Sequence, residues 1–269
     1  MDELENKLKI GTINLNGNAW WRLKDLPNIP LRESYIRTIQ NEMLFRWKKC
    51  ISKLIDEKYD IIAIQELLYK KEYLLKLKDF LEESGYKLIY TPTNCRFISA
   101  FIIKDELVIK DELGNTEVIT VSNRFLSIKI EYHETNIQLI NVHISLGKEQ
   151  KLINFNGFLK YIEDIKENKN SPNIILLGDF NTYTRLQTTN SETYIDRDEA
   201  VKENVNLFEQ FKRDCDLNEL GKDDDYTYKT SKGGNKLDHI FISNDLKIKY
   251  TCDLSVDHDV NFFQNTNGC

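Results

Sequence analysis

Short apolar runs alternate with amphipathic stretches along this chain, in an order that predicts a mixed α/β protein. Ile10 and Ile13 anchor a strand over residues 9–15. Tyr35, Ile36, Ile39, Met43, Leu44, Trp47, Ile51, Leu54 and Ile55 recur at helical spacing, so residues 32–57 form a long helix, with Pro27 and Pro30 at its entrance. A compact apolar strand covers 60–65, and a second helix, 74–84, stops at Gly85. Strands then dominate, at 86–90, 97–103, 107–110, 125–132 and 137–143. A third helix over 150–167 presents Leu152, Phe155, Leu159, Ile162 and Ile165. A buried strand over 173–177, a fourth helix over 199–212, and late strands over 237–242 and 247–250 complete the pattern. Residues 182–197 are irregular and rich in Thr, Asn and charge, as either a functional loop or a solvated surface loop would be. No repeat and no Ser/Gly-rich linker interrupts the order, so a single domain over 1–269 is expected.

Composition narrows the class. Among 269 residues, 37 Lys+Arg against 43 Asp+Glu give a net charge of −6, which excludes a protein that coats nucleic acid by charge but leaves room for a locally basic groove. The 41% hydrophobic content suffices for a packed core, and 11 Gly with 4 Pro argue against long disordered linkers. Five cysteines, with no C-x-x-C pair, make a disulfide scaffold or a zinc ribbon a poor fit. The opening Met-Asp-Glu-Leu-Glu-Asn-Lys lacks the order of a secretory signal, and no apolar run approaches the roughly 20 residues that span a bilayer. A soluble, reduced, cytoplasmic protein with no membrane partner is expected.

Polar residues collect where the strands end. Asn14 closes the first, Gln65 and Glu66 follow Ile-Ile-Ala-Ile, and Asn141 and His143 close Ile-Asn-Val-His. Asp179 and Asn181 follow an apolar run in Gly-Asp-Phe-Asn, Asp238 and His239 sit in Lys-Leu-Asp-His-Ile-Phe, and Asp257 and His258 in Ser-Val-Asp-His-Asp. Each fragment has an ordinary reading alone: a loop acid, a turn, a cap, a satisfied core histidine, a solvated pair. Carboxylates placed just past buried strands need partners or a metal, and several of them at one edge point to a catalytic cleft. Lys229, Lys232 and Lys236 flank Gly233-Gly234, which reads as a phosphate-docking loop or a plain hairpin turn. Arg96 and Arg124 are further phosphate candidates. Trp20 and Trp21 read as staples of the first helix, with base stacking as the alternative.

Taken in order, Asn14-Leu-Asn-Gly, Gln65-Glu66, Asn141-Val-His143, Gly178-Asp179-Phe180-Asn181, Leu237-Asp238-His239 and Asp257-His258 resemble the endonuclease/exonuclease/phosphatase superfamily, the deoxyribonuclease I-like group. The resemblance runs from Asn14 to His258. It implies a four-layer α/β/β/α sandwich of two facing mixed sheets. It also implies metal-dependent hydrolysis of a phosphoester, with Mg2+ or Mn2+ held by Glu66, Asn14 and Asp257. By the same resemblance His258 is the general base, Asp238 fixes its tautomer, and Asp179 orients the attacking water. Asn181 donates to the developing charge, and His143 contacts a non-bridging oxygen or helps protonate the leaving group.

Departures from the family's patterns narrow the substrate. A histidine at 143 and the lack of a Pro-Asn-Gly segment disfavour abasic-site repair. Gly-Asp-Phe-Asn differs from the patterns of inositol 5-phosphatases and tyrosyl-DNA phosphodiesterases. The usual Ser-Asp-His reads Val256-Asp257-His258, and the last strand has room only at about residues 260–263. Nuclease action on nucleic acid is expected, with Lys232, Lys236 and Arg124 as phosphate contacts. Action on a phosphomonoester, lipid or small diester is the alternative, and a catalytically silent binding module is a more distant one.

Overall fold

The structure, a computed structural model, describes residues 7–15, 33–90, 95–109, 124–145, 147–167, 173–182, 199–222, 227–230 and 233–252. The expected features at 182–197 (beyond Thr182), at 256–258 and at 260–263, with Trp20, Trp21, Pro27, Pro30 and Lys232, lie outside the described residues. The described residues divide into two compact units, one ending at Leu107 and the other beginning at Val108.

The first unit is built on four strands: β1 (Ile10–Asn14), β2 (Ile61–Leu68), β3 (Tyr86–Tyr90) and β4 (Phe97–Lys104). Their order is β1-β2-β4-β3, with β1 parallel to β2 and the other pairs antiparallel. A parallel pair needs a long crossover, and α1 (Glu33–Asp56) lies in it. A second helix, α2 (Lys71–Glu83), follows β2. Successive strand residues point to opposite faces. Ile62 and Ile64 of β2 and Ala100 and Ile102 of β4 form one core with Trp47, Ile51, Leu74, Leu77 and Leu81 of the helices. Each such fully buried Leu, Ile or Phe stabilises by roughly 1.5–3 kcal/mol. The Trp47 indole N–H donates to the Leu15 carbonyl at 3.2 Å, so the bulkiest buried side chain also has its polar end satisfied.

The second unit carries six strands in the order β5-β6-β7-β8-β12-β9. They are β5 (Val108–Ile109), β6 (Phe125–Tyr132), β7 (Thr135–His143), β8 (Ile174–Asp179), β9 (Asn218–Glu219) and β12 (Asp238–Ile242), with a separate hairpin of β10 (Tyr228–Thr230) and β11 (Gly233–Asn235). Only β7 and β8 run parallel, and α3 (Lys148–Glu167) connects them. A further helix, α4 (Glu199–Asp214), precedes β9. Ile140 and Val142 of β7, Ile174 and Leu176 of β8 and Phe241 of β12 pack with Phe155 and Phe158 of α3 and Phe208 and Phe211 of α4. Phe155 and Phe211 stack with ring centroids 4.8 Å apart. The α/β class with two mixed sheets is therefore as expected.

Two local expectations are corrected. Residues 247–250 alternate Lys-Ile-Lys-Tyr like a strand, but Lys247–Lys249 form the last turn of a short helix, α5 (Asn244–Lys249), which Tyr250 ends in an extended conformation. Asp245 in its first turn and Lys247 and Lys249 in its last suit the helix dipole, and Leu246 is its buried anchor, leaving Ile248 exposed. On α3 the buried face begins one residue before Leu152. Leu152 is exposed while Lys151, Asn154, Phe155, Phe158, Tyr161 and Ile162 are buried. Aromatic residues and a hydrogen-bonded lysine share the inner stripe with Ile162, Leu159 and Ile165, and Leu152 is the one expected member that falls outside it.

The β7–β8 pairing passes through Gly178. Its φ is +139, and a Cβ there would stand 2.0 Å from the Val142 carbonyl oxygen. No side chain fits that approach, and the backbone angle is itself one that other residues avoid. Gly178→Ala is expected to lower stability by about 3 kcal/mol or more, read from urea unfolding. An alanine variant as stable as wild type would contradict the close approach.

Candidate functional site

Register places three of the polar residues in one row. His143 pairs with Asp179 across the parallel β7–β8 ladder, and Asp179 pairs with Asp238 across the antiparallel β8–β12 ladder. In-register neighbours share a face. The apolar core takes Ile140, Val142, Leu176 and Phe241, so the row lies on the other face, with Asn141 two residues before His143. The row also lies where β7 and β8 end and β12 begins. Strand termini of this kind are where open α/β sheets bind ligands.

The turn leaving β8 is held by its own polar groups. The Asn181 backbone N–H donates to Asp179 Oδ1 at 2.7 Å, and its side-chain amide donates to the Ile144 carbonyl at 2.9 Å. Asn181 sits at φ +48, a left-handed conformation that asparagine tolerates. Lys151 secures the turn from beneath: its Nζ donates to the Asn181 carbonyl at 2.8 Å and to Thr182 Oγ1 at 2.7 Å. Burial draws its ammonium down to about 8, while the Asp179 charge works in the opposite direction. Sequence reading missed Lys151. Its signal was its place at i, i+3, i+4 and i+7 with Asn154, Phe155 and Phe158.

His143 and Asp238 sit in contrasting surroundings. Arg124 Nη1 approaches His143 Nδ1 to 3.1 Å, and the Arg124 carbonyl accepts the His143 backbone N–H at 2.8 Å. Burial, helped by the guanidinium charge, pushes the imidazole down to about 3, so it is neutral at pH 7. Arg124 is thus a partner of His143 as well as a phosphate candidate. Asp238 is anchored by Thr227, whose Oγ1 accepts both the Leu237 and Asp238 backbone N–H groups. Its Oδ1 is buried and has no hydrogen-bond partner among the described residues. Burial holds this carboxyl up at about 6, against a hydrogen bond from Thr227.

In the first unit, Asn14 pairs in register with Gln65 at the ends of β1 and β2. Gln65 Nε2 donates to Thr12 Oγ1 at 3.0 Å, which marks the face opposite that unit's core. Glu66 follows at φ +56, inside an irregularity of the β2–β4 register between Ile64 and Leu67. A non-glycine residue in that conformation at a bulge redirects its side chain, a feature that accumulates at functional positions. One carboxylate with neutral amide oxygens is the donor chemistry of a hard divalent cation that keeps part of its water. Among the described residues no three His, Cys, Asp or Glu side chains gather as a metal cluster.

Lys236 is not the surface cation expected. It is 2% exposed, and its Nζ lies 2.7 Å from Glu219 Oε1. Glu219 also receives His239 Nδ1 at 2.7 Å and lies 3.7 Å from the Lys212 ammonium. Lys236 therefore neutralises a half-buried carboxylate in place of meeting phosphate, and His239 Nε2 is buried without a hydrogen-bond partner among the described residues. Burial alone would raise the Glu219 carboxyl, but His239 and Lys236 outweigh it and hold it at about 2. This network lies on the aromatic side of β12, one residue from Asp238, with the His239 ring 4.6 Å from that of Phe208. Lys232, Asp257 and His258 lie outside the described residues.

A family model described as Endonuclease-reverse transcriptase matches residues 137–261, the stretch that begins in β7 and includes the Asp257-His258 pair. Three solved structures illustrate the shared fold. ANGEL2, a 2′,3′-cyclic phosphatase, has a TM-score of 0.57 at 14% identity, over 88% of this chain and 82% of that one. An AP endonuclease from Archaeoglobus fulgidus has 0.54 at 14%, over 89% and 88%. The 3′ phosphatase NExo from Neisseria, bound to product DNA hairpin, has 0.53 at 17%, over 76% and 84%. At such identities the likeness is one of fold. No curated protein matches the sequence.

The buried charges set the stability of the second unit. Glu219→Leu strands the Lys236 ammonium and is expected to cost about 3–5 kcal/mol at pH 7, read from urea unfolding; a loss below about 1 kcal/mol would contradict the network. Acid acts through several buried and half-buried groups: His143, His239 and Glu219 lose stability as the pH falls, whereas Asp238, held up at about 6 in the fold, gains it between 6 and 3.8. His143 stays neutral in the fold down to about 3 while the unfolded chain protonates near 6.5, so stability falls as the pH drops below 6.5. The Glu219 contribution is complete above 4.5 and is lost as the pH falls from there toward 2. A wild-type stability change between pH 6.5 and 4.5 equal to that of His143→Gln would contradict the buried neutral His143.

Proposed function

The chain has the deoxyribonuclease I-like fold of the endonuclease/exonuclease/phosphatase superfamily, and from that premise we propose that it hydrolyses phosphodiesters with a divalent metal, as a nuclease. The observation that carries this reading is the row of His143, Asp179 and Asp238 on three neighbouring strands. A neutral imidazole between a guanidinium and a carboxylate, with a second carboxylate beside it, suits a phosphoryl group and an attacking water better than it suits a packing contact.

Each residue has an assigned task. Asp179, anchored by the Asn181 backbone N–H, accepts a hydrogen bond from the attacking water and aims its lone pair at phosphorus. The Asn181 amide donates to charge that develops on the phosphoryl oxygens, and His143 donates to a non-bridging oxygen. His258 takes the proton of the water. The unpartnered Oδ1 of Asp238 is the acceptor we assign to the His258 ring N–H, which would fix its tautomer and stabilise the imidazolium. Glu66 and Asn14, with Asp257, would hold Mg2+ or Mn2+. Such an ion polarises a phosphoryl oxygen and offsets charge on the leaving oxygen. Arg124 and Lys232 are assigned to substrate phosphates, so contact with nucleic acid is local, as the net charge of −6 requires.

His258→Ala and Asp179→Ala are expected to lower turnover by at least about 10²-fold with the fold retained by circular dichroism. EDTA is expected to silence the wild type, and Mg2+ or Mn2+ to restore it. Parallel assays on DNA, RNA and bis-p-nitrophenyl phosphate distinguish the readings. Cleavage of the small diester alone would favour the small-molecule phosphodiesterase, and hydrolysis of none would leave a binding module. Wild-type rates in either variant would overturn the assignment.

A further inference from the structure

Two histidines of the second unit are held in opposite ways. Around His143, the ring nitrogen Nδ1 faces Arg124 Nη1 at 3.1 Å. A guanidinium has five N–H donors and no acceptor, and it stays charged throughout the working pH range. The contact is a hydrogen bond only if Nδ1 offers its lone pair. The single ring proton of a neutral imidazole must then sit on Nε2. A doubly protonated ring would set N–H against N–H and cation against cation. The backbone fixes the pairing, because the His143 N–H donates to the Arg124 carbonyl at 2.8 Å as the β6–β7 ladder begins at Phe125 and Val142. Around His239 the logic inverts. Its Nδ1 lies 2.7 Å from Glu219 Oε1, and a carboxylate only accepts, so there the proton is on Nδ1.

We propose that Arg124 is a positioning residue that fixes His143 as the neutral Nε2–H tautomer, so that His143 serves its site as a hydrogen-bond donor and not as a proton donor. The catalytic half of this statement rests on the phosphoester reading above; the tautomer does not. Among the described residues, the charged groups set against His143 are Arg124, which donates to its ring, and Asp179, its register partner on β8. Burial of His143, at 8% exposure, disfavours the charged ring further. The chemical consequence follows from proton balance. A neutral imidazole that gave its Nε2 proton to a leaving oxygen would become an imidazolate, beyond the reach of ordinary acid catalysis at neutral pH. The leaving oxygen must take its proton from another acid, such as a polarised water, while His143 keeps its own.

The test is a long-range 1H–15N spectrum of the full chain at pH 7, without metal or substrate, with the four histidines assigned through His143→Gln and His239→Gln. His143 is expected to show a bare Nδ1 and a protonated Nε2, and His239 the reverse. Arg124→Met is expected to return His143 toward a tautomer mixture. A doubly protonated His143, or one protonated on Nδ1, would overturn the proposal in the wild type alone, whether or not the Arg124 variant folds. The spectrum needs no turnover, so it decides the tautomer independently of the substrate. In activity, glutamine at 143 still offers an N–H but no titrating proton. His143→Gln is expected to stay about tenfold or more above His143→Ala. Equal loss in both, at the 10²-fold or more typical of a missing general acid, would overturn the donor role.

Discussion

The close approach of two backbones at Gly178 is the constraint on which the site depends. Leucine-rich β8 meets β7 with a carbonyl 2.0 Å from where a Cβ would be, so the two strands can run side by side to their ends only because residue 178 has none. The next residue is Asp179. Its pairing with His143 on one side and Asp238 on the other is a direct product of that ladder. A slip of one residue would turn the whole row toward the aromatic core, where three polar side chains would have no partners.

What surrounds the row explains how acids and bases can be kept apart at such short range. Behind β12, Lys236 and His239 converge on Glu219 and hold it ionised in an aromatic shell of Phe180, Phe208 and Phe241. That pairing sits one residue from Asp238, whose own carboxyl burial favours in the protonated form. Beneath β8, Lys151 grips the carbonyl of Asn181 and the hydroxyl of Thr182, so the turn that presents Asn181 is tied to α3. At the end of β7, burial and the Arg124 guanidinium keep His143 neutral. His143 thus has a partner just ahead of β6, Asp238 is anchored at Thr227, and Asp179 is held by the Asn181 turn that α3 supports.

The row itself was legible in the sequence. His143, Asp179 and Asp238 each stand next to an apolar run, and strand ends are where unpaired acids need a reason. Most of the helices and strands were legible too, since their periods of 3.6 and 2 reflect burial on one face. What stayed hidden was pairing between residues far apart in sequence. Lys236 read as a loop cation because nothing local marks Glu219 as its partner. Lys151 lay inside a helix whose expected inner stripe began at Leu152, and a lysine one residue earlier carries no apolar signal of burial. The alternation in residues 247–250 looked like a strand because a short helix with one buried residue leaves no periodic signal.

The central claim is that these strand ends act together on one phosphoester. A double-mutant cycle on kcat for phosphodiester hydrolysis, with Asp179→Asn, Asp238→Asn and the pair, tests it most directly. Residues that serve one transition state lose most of their effect once, so the double variant is predicted to fall little below the worse single one. Losses that simply multiply would show two independent sites of damage, and would contradict the account.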